Sequence, residues 1–278
     1  MTEFVHIRGL QIYIRTIGNG PFIVFLHGGP GAEHRTFLPH VLPLAEHFTL
    51  VLYDQRGCGQ SERASSSTTY TIENEIETLE EIRLHLGIDQ LNLVGESWGT
   101  MLALLYACKY PQHTRKLFLA SAIGLNADGY VHFSEELEAR LSNADRDKLA
   151  DISTRLNQSN ASLDELFGVL DKYYVYSPKT LAKASKTIRN PQVNEAFHQQ
   201  ILDFYDVTHH VTTLERIPIA VLQGSQDLLS PAYIHEHMQK HLPHLQLIEV
   251  PECGHWVYIE ASERFNYEVE NFFSETDS

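Results

Sequence analysis

The sequence predicts an α/β fold: a mostly parallel eight-stranded sheet with helices on both faces, interrupted by a helical cap insertion. Three observations carry that expectation. Apolar runs of strand length alternate with segments of helical period through the first 124 residues. Between 125 and 214 the alternation stops and only helical patterns occur, after which it resumes. Runs such as Pro21-Phe22-Ile23-Val24-Phe25-Leu26 are apolar at every position, the pattern of strands covered on both faces.

In chain order, residues 4–7 and 11–16 read as a hairpin across Arg8-Gly9-Leu10. The apolar runs 21–26 and 48–53 supply the third and fourth strands. A helix over 72–86 follows, with Ile72, Ile76, Leu79, Ile82 and Leu86 on one face and Gly87 in the stop position. A fifth strand at 91–94 leads through Gly95-Glu96-Ser97-Trp98-Gly99 into an apolar helix around 101–106, and 116–120 is the sixth strand. In the insertion, Ser162 and Glu165 have the spacing of a capping box ahead of Leu166, Phe167 and Leu170. Ser177-Pro178 and Asn190-Pro191 each read as a cap followed by a first-turn proline. Residues 219–222 and 246–250 complete the sheet, and a helix carrying Phe265, Val269 and Phe272 closes the chain. The expected division is a core of 1–124 and 215–278 and a cap, or lid, of 125–214.

Composition narrows the function classes. A chain of 278 residues, 43% hydrophobic and 21% charged, is expected to be soluble and globular. A formal net charge of -15 at pH 7 argues against nucleic acid and against an anionic membrane surface as partners. No basic, then apolar leader opens the sequence, and no stretch approaches the ~20 apolar residues of a membrane span. Cys58, Cys108 and Cys253 form no ligand spacing and no disulfide framework, so a cytoplasmic setting is expected.

Strand, glycine, serine, glycine, helix is the order of the nucleophile elbow of an α/β-hydrolase, which lifts the Ser97 hydroxyl above the sheet edge. A serine hydroxyl needs a base and an orienter. In that fold the acid and then the histidine follow the nucleophile in chain order, at the ends of later strands. Asp227 follows the seventh expected strand and His255 the eighth. The loop His27-Gly28-Gly29-Pro30-Gly31 follows the third, where the fold draws one backbone N–H for an oxyanion, the other coming from Trp98.

Four motifs together resemble the proline iminopeptidase (prolyl aminopeptidase) family: His27-Gly28-Gly29-Pro30-Gly31, Asp54-Gln55-Arg56-Gly57-Cys58-Gly59-Gln60-Ser61, Ser97-Trp98-Gly99 and Gly254-His255. The resemblance spans nearly the whole chain and is loosest in the insertion. It implies Ser97, Asp227 and His255 as catalytic triad, Gly29 and Trp98 as oxyanion donors, and no metal or cofactor. Family members commonly carry glycine where this chain has Glu96, a position whose side chain is expected to turn away from substrate as a packed, hydrogen-bonded carboxylate. They also hold the substrate's α-ammonium with carboxylates. Asn194-Glu195-Ala196-Phe197 resembles one of those anchors, whereas Leu228 stands where the second is expected. Glu195, Gly28 and Leu228 are therefore the candidate substrate-binding positions.

Other candidates are weaker. His235, His237, His241 and His244 fall on an expected helix, but Gln239 occupies the second histidine of a His-Glu-x-x-His motif, so a solvated face is expected. Cys58 and Cys253 are expected to be buried small hydrophobes, and Arg56 a brace for its loop. The leading expectation is a serine hydrolase that releases N-terminal proline from short peptides. An esterase or lactonase on the same machinery is one rival, favoured by Leu228. A non-catalytic small-molecule binder that keeps the fold is the other.

Overall fold

In the computed structural model, which describes residues 1–158 and 160–275, eight strands form one sheet. They are β1 (Thr2–Ile7), β2 (Leu10–Ile17), β3 (Phe22–Leu26), β4 (Thr49–Tyr53), β5 (Leu91–Glu96), β6 (Thr114–Ala120), β7 (Ile219–Gly224) and β8 (Gln246–Val250). Their order across the sheet is β1-β2-β4-β3-β5-β6-β7-β8. β2 runs antiparallel to both neighbours, and every other pairing is parallel. Arg8 and Gly9, with φ of 46° and 82°, make the two-residue turn that closes the β1–β2 hairpin.

The all-apolar strands are buried on both sides. Val24 and Leu26 belong to one hydrophobic cluster, and Ile23 and Phe25 to the other, as the two-residue period of a strand requires. The first cluster takes in α1 (Ile72–His85) and α2 (Trp98–Lys109). The second takes in α9 (Val257–Glu260) and α10 (Ser262–Ser274), where Phe265, Val269 and Phe272 face the sheet. Thr71 caps α1 by accepting the Asn74 N–H, and Gly87 past its end has φ of 65°.

Between β6 and β7 come α3 (Ala127–Arg140), α4 (Asn143–Asn157), α5 (Leu163–Leu170), α6 (Pro191–Phe204) and α7 (Val211–Leu214). The two arms of this excursion meet where Asn126 bridges Asp206 and the Val207 N–H donates to the Leu125 carbonyl. α5 carries the full Ser162/Glu165 capping box, and the Asn190 side chain accepts the Gln192 N–H at the start of α6. Ser177 departs from expectation. Its side chain caps nothing, the chain after it is a 3₁₀ turn over Pro178–Lys183, and its N–H goes to Glu260 instead.

The histidine-rich segment departs too. α8 (Pro231–Ile234) continues only as a π-helical turn over His235–Gln239, which leaves His241 beyond its end. The His237 ring stacks on Tyr233 with centroids 4.1 Å apart, while His241 lies outside the helical segment. No described helix is long and apolar enough to cross a membrane.

Close approach of α2 to the sheet explains the elbow glycines. A Cβ on Gly99 would stand 2.0 Å from the Leu26 carbonyl oxygen, and one on Gly95 would stand 2.3 Å from that of Gly99. Both obstacles are backbone, which cannot swing away. Gly99→Ala is therefore expected to cost about 1–3 kcal/mol by overpacking. The reading is a lower urea midpoint at unchanged slope; a midpoint equal to the parent's would show that α2 shifts freely.

Candidate active site

Ser97 sits where β5 turns into α2, with φ of 53° and ψ of -118°. A non-glycine residue in that region carries roughly 1–3 kcal/mol of strain, which the surrounding packing must hold. The hold is visible: the Ser97 N–H donates to the Ala120 carbonyl at 3.1 Å, and the Thr100 N–H donates to the Ser97 carbonyl at 2.8 Å.

Asp227 and His255 lie in the loops after β7 and β8, and His255 Nδ1 is 2.9 Å from Asp227 Oδ1. Gln223, on β7, donates Nε2–H to Asp227 Oδ2 at 2.8 Å and to the Leu229 carbonyl at 2.7 Å. Arg140, at the end of α3, donates to the Gln226 and Asp227 carbonyls at 2.9 and 2.7 Å. The imidazole is buried against Phe133 and Tyr174, with ring centroids 4.8 and 5.7 Å away. Its backbone N–H donates to the Tyr174 carbonyl at 2.7 Å. Nε2 is buried with no hydrogen-bond partner, although Ser97 and His255 line the same cavity. Burial by itself would lower the His255 pKa, but the charge and hydrogen bond of Asp227, helped by Glu96, leave it raised.

The loop after β3 approaches from the other side. Gly29 has φ of 115°, a conformation side chains other than glycine rarely adopt. Gln55, from the loop after β4, clamps the two segments that resemble oxyanion donors. Its backbone N–H donates to His27 Nε2 at 3.1 Å, its Nε2–H donates to the His27 carbonyl at 2.7 Å, and its Oε1 accepts the Trp98 indole N–H at 2.9 Å. His27 Nε2 is thus an acceptor, so Nδ1 carries the ring proton and donates to the Gly28 carbonyl at 3.0 Å. Arg56 braces the β1–β2 hairpin by donating to the Ile7 and Arg8 carbonyls.

The helical excursion fastens onto both halves of the site. Asn190 donates its side-chain N–H to the Gly57 carbonyl at 2.8 Å, and Asn194 donates to the Pro30 carbonyl at 3.2 Å. Phe197 packs edge-on to Trp98 at 5.0 Å. Glu260 accepts the N–H groups of Tyr176, Ser177 and Gly254, which binds the segment over the site to the His255 loop. Gln55, Arg56, Asn194 and Phe197 lie inside motif-like stretches and Asn190 reads as a cap, whereas Gln223, Arg140 and Glu260 left no local mark in the sequence.

Together these parts enclose a cavity of about 310 Å³ beside Ser97 and His255, walled by Phe133, Leu166, Phe167, Tyr174 and Tyr258 among others. Its charged members are Glu96, Asp171 and Arg189. Arg189 pairs with Asp171 at 3.3 Å and lies 3.7 Å over the Phe167 ring. Burial raises the Asp171 carboxyl despite that partner.

Of the candidate substrate positions, only Gly28 lines the cavity. Glu195 is exposed on α6, and Asn194 takes the inward place. Leu228 is buried in the core cluster behind the site rather than in the cavity wall. Glu96 corrects the expectation in the opposite direction, since its carboxylate stands in the wall. Gly28 makes that possible: a Cβ there would fall 2.2 Å from Glu96 Oε2, so only a glycine lets the side chain fold across this loop. Burial pushes the Glu96 carboxyl up to about 7, outweighing the pull of His255 and of a hydrogen bond from the Gly28 backbone.

One acidic cluster nearby, Glu33, His34 and Asp54, has metal-like spacing. Asp54 Oδ1 accepts the His34 N–H and faces its Nδ1, both at 2.8 Å, and Glu33 takes both arms of Arg35, which leaves only His34 Nε2 buried without a partner among the described residues of this cluster. Cys58 and Cys253 are buried free thiols, raised by that burial away from reactive thiolate.

Relatives named proline iminopeptidase match at 26–28% identity. The one from Clostridioides difficile (strain 630) is 28% identical over 279 residues, covering 94% of each chain. Among solved structures, an α/β fold family hydrolase from Bacillus anthracis str. Sterne superposes with a TM-score of 0.79 at 22% identity, covering 98% of this chain and 99% of that one. A proline iminopeptidase-related protein from Thermus thermophilus gives 0.77 at 24%, covering 99% and 97%. At such identities the structural likeness concerns the fold. The profile of the α/β hydrolase fold matches residues 21–262, and on that match and this sheet order the chain belongs to the α/β hydrolase fold family.

Proposed function

We propose that the chain is a serine hydrolase working through an acyl-enzyme, with Ser97 as nucleophile, His255 as base and Asp227 as orienter. One observation carries this reading: a strained, held serine opens into the same cavity as a buried imidazole whose Nδ1 is fixed by a carboxylate and whose Nε2 is unpartnered. Nε2 takes the Ser97 proton as the oxygen attacks a carbonyl carbon, then returns it to the leaving group; water repeats the cycle on the acyl-enzyme. The N–H groups of Gly29 and Trp98 receive the negative charge that develops on the carbonyl oxygen. Residues 125–214 serve as the lid that excludes water.

The substrate we infer is a short peptide with N-terminal proline, released at that residue. The names of the relatives and a small chamber with aromatic walls on several sides support it. An esterase or lactonase is the second reading, because neither Glu195 nor Leu228 offers the cavity a carboxylate. The three free thiols support a reducing, cytoplasmic setting. A rate panel of aminoacyl anilides, p-nitrophenyl esters and lactones separates the readings: preference for prolyl anilide is expected, and turnover of esters or lactones alone would install the rival.

Activity is expected to rise with pH. His255 must be neutral to accept a proton and its pKa is raised, so the midpoint should lie above the ordinary 6.5. Full activity at pH 5.5 would remove His255 from the role of base.

A further inference from the structure

Glu96 is a buried carboxylate without a cation. It is 4% exposed, stands in the cavity wall beside Ser97, Gly28 and His255, and among the described residues no lysine or arginine pairs with it. The groups whose charges reach it are His255 and Asp227 from the loops after β8 and β7, Arg189 ahead of α6, and the phenols of Tyr174 and Tyr258. Arg189 is already engaged by Asp171, and His255 by Asp227. A buried carboxyl in that position is stabilised most by a ligand that brings its own positive charge.

The covalent geometry of acyl transfer says where that charge would fall. When a carbonyl carbon rests on Ser97 with its oxygen toward Gly29 and Trp98, an α-nitrogen lies only about 2.5 Å from that carbon. It therefore stays in the corner bounded by Ser97 and the loop after β3. Glu96 immediately precedes Ser97, and its carboxylate lies across Gly28, one residue before Gly29. The other cavity carboxylate, Asp171, approaches from the excursion above and is held by Arg189.

We propose that Glu96 is the specificity-determining residue of this site, its carboxylate receiving the α-ammonium of the acyl group that Ser97 attacks. The inference rests on the acyl-transfer reading of Ser97. It assigns to the elbow the amine anchor that Glu195 and Leu228 do not provide. An ammonium beside Glu96 binds the ionised carboxylate, so below about pH 7 a proton must leave as substrate enters. A neutral acyl group makes no such demand.

The test compares two p-nitrophenyl esters with one leaving group: that of proline and that of cyclopentanecarboxylic acid, which has the same ring with carbon in place of nitrogen. The parent should favour the prolyl ester in kcat/KM. Glu96→Gln should lower the prolyl-to-cyclopentyl ratio by about 30-fold or more, as loss of one partner of a buried charge pair does. The parent's prolyl profile should also carry an extra acid limb near pH 7 that the variant lacks. Glu96→Gly is the second variant, and it should lower the ratio equally if the glutamine fails to fold. An unchanged ratio in a folded variant overturns the proposal. So does an equal fall on both esters with a shifted histidine limb, because Glu96 would then act through His255. A parent inert to both esters and to a fluorophosphonate probe rejects the Ser97 reading itself, and the proposal with it.

Discussion

Ser97→Ala is expected to lower turnover on any cleaved substrate by about 10⁴- to 10⁶-fold and to abolish labelling by a fluorophosphonate, with the fold intact. In the proposed mechanism the hydroxyl oxygen forms the acyl bond, and the buried thiols of Cys58 and Cys253 are pushed away from thiolate and do not stand ready to replace it. The substitution removes one oxygen and leaves the elbow's hydrogen bonds, which are made by the backbone of residue 97. Alanine at φ of 53° remains strained, so the variant should gain little or no stability. Single-turnover rates with a p-nitrophenyl ester, beside a thermal melt, are the measurement. Activity within tenfold of the parent in a folded protein would take Ser97 out of the mechanism.

Asp227→Asn should cost about 10⁴-fold in kcat, and the structure shows how. Gln223 Nε2 donates to Asp227 Oδ2, while Gln223 Oε1 is committed to the Ala122 N–H at 2.9 Å, which fixes the direction of the Gln223 amide. An asparagine must therefore turn its oxygen toward Gln223 and its NH₂ toward His255 Nδ1. Nδ1 then becomes an acceptor, the ring proton moves to Nε2, and the base can no longer receive the Ser97 proton. Loss of the Asp227 charge should also lower the pH midpoint of what activity remains, since that charge is what holds the imidazole pKa up against burial. A variant within tenfold of the parent, with an unmoved midpoint, would separate Asp227 from the catalytic histidine.

The elbow and the chain order of Ser97, Asp227 and His255 were legible because each depends on a short segment. A strand, a tight turn and a helix are written in consecutive residues, and parallel topology carries the end of every such strand to one edge of the sheet. Glu195 was misread for a reason equally physical. On a helix, successive residues turn by about 100°, so Asn194 and Phe197 share the face that meets the site while Glu195 swings outward. Motif similarity allowed one residue of slack, and one residue changes the face.

Glu96 is packed and hydrogen-bonded as expected, but its direction was not legible, because strand position alone does not say which way a side chain folds at a strand end. Gly28, far away in sequence, leaves the space that lets its carboxylate enter the cavity. His241 lies beyond the end of its helix, which closes in a π-turn over His235–Gln239, and apolar periodicity records neither the kind of turn nor its end.

The sequence by itself determined the sheet, the position of the elbow and the order of the residues that resemble a triad, because local hydrogen bonding and hydrophobic period select them. Only the tertiary structure decided what surrounds them: Gln55 joining His27 to Trp98, Arg140 and Gln223 fixing Asp227, Glu260 tying the His255 loop to the excursion, and Glu96 turned inward. Many of these contacts end on backbone carbonyls or amides, which every residue possesses and which therefore leave no trace in the identity of the partner. Gln55 and Trp98, which do meet side chain to side chain, are 43 positions apart and come together only once the sheet has formed beneath them.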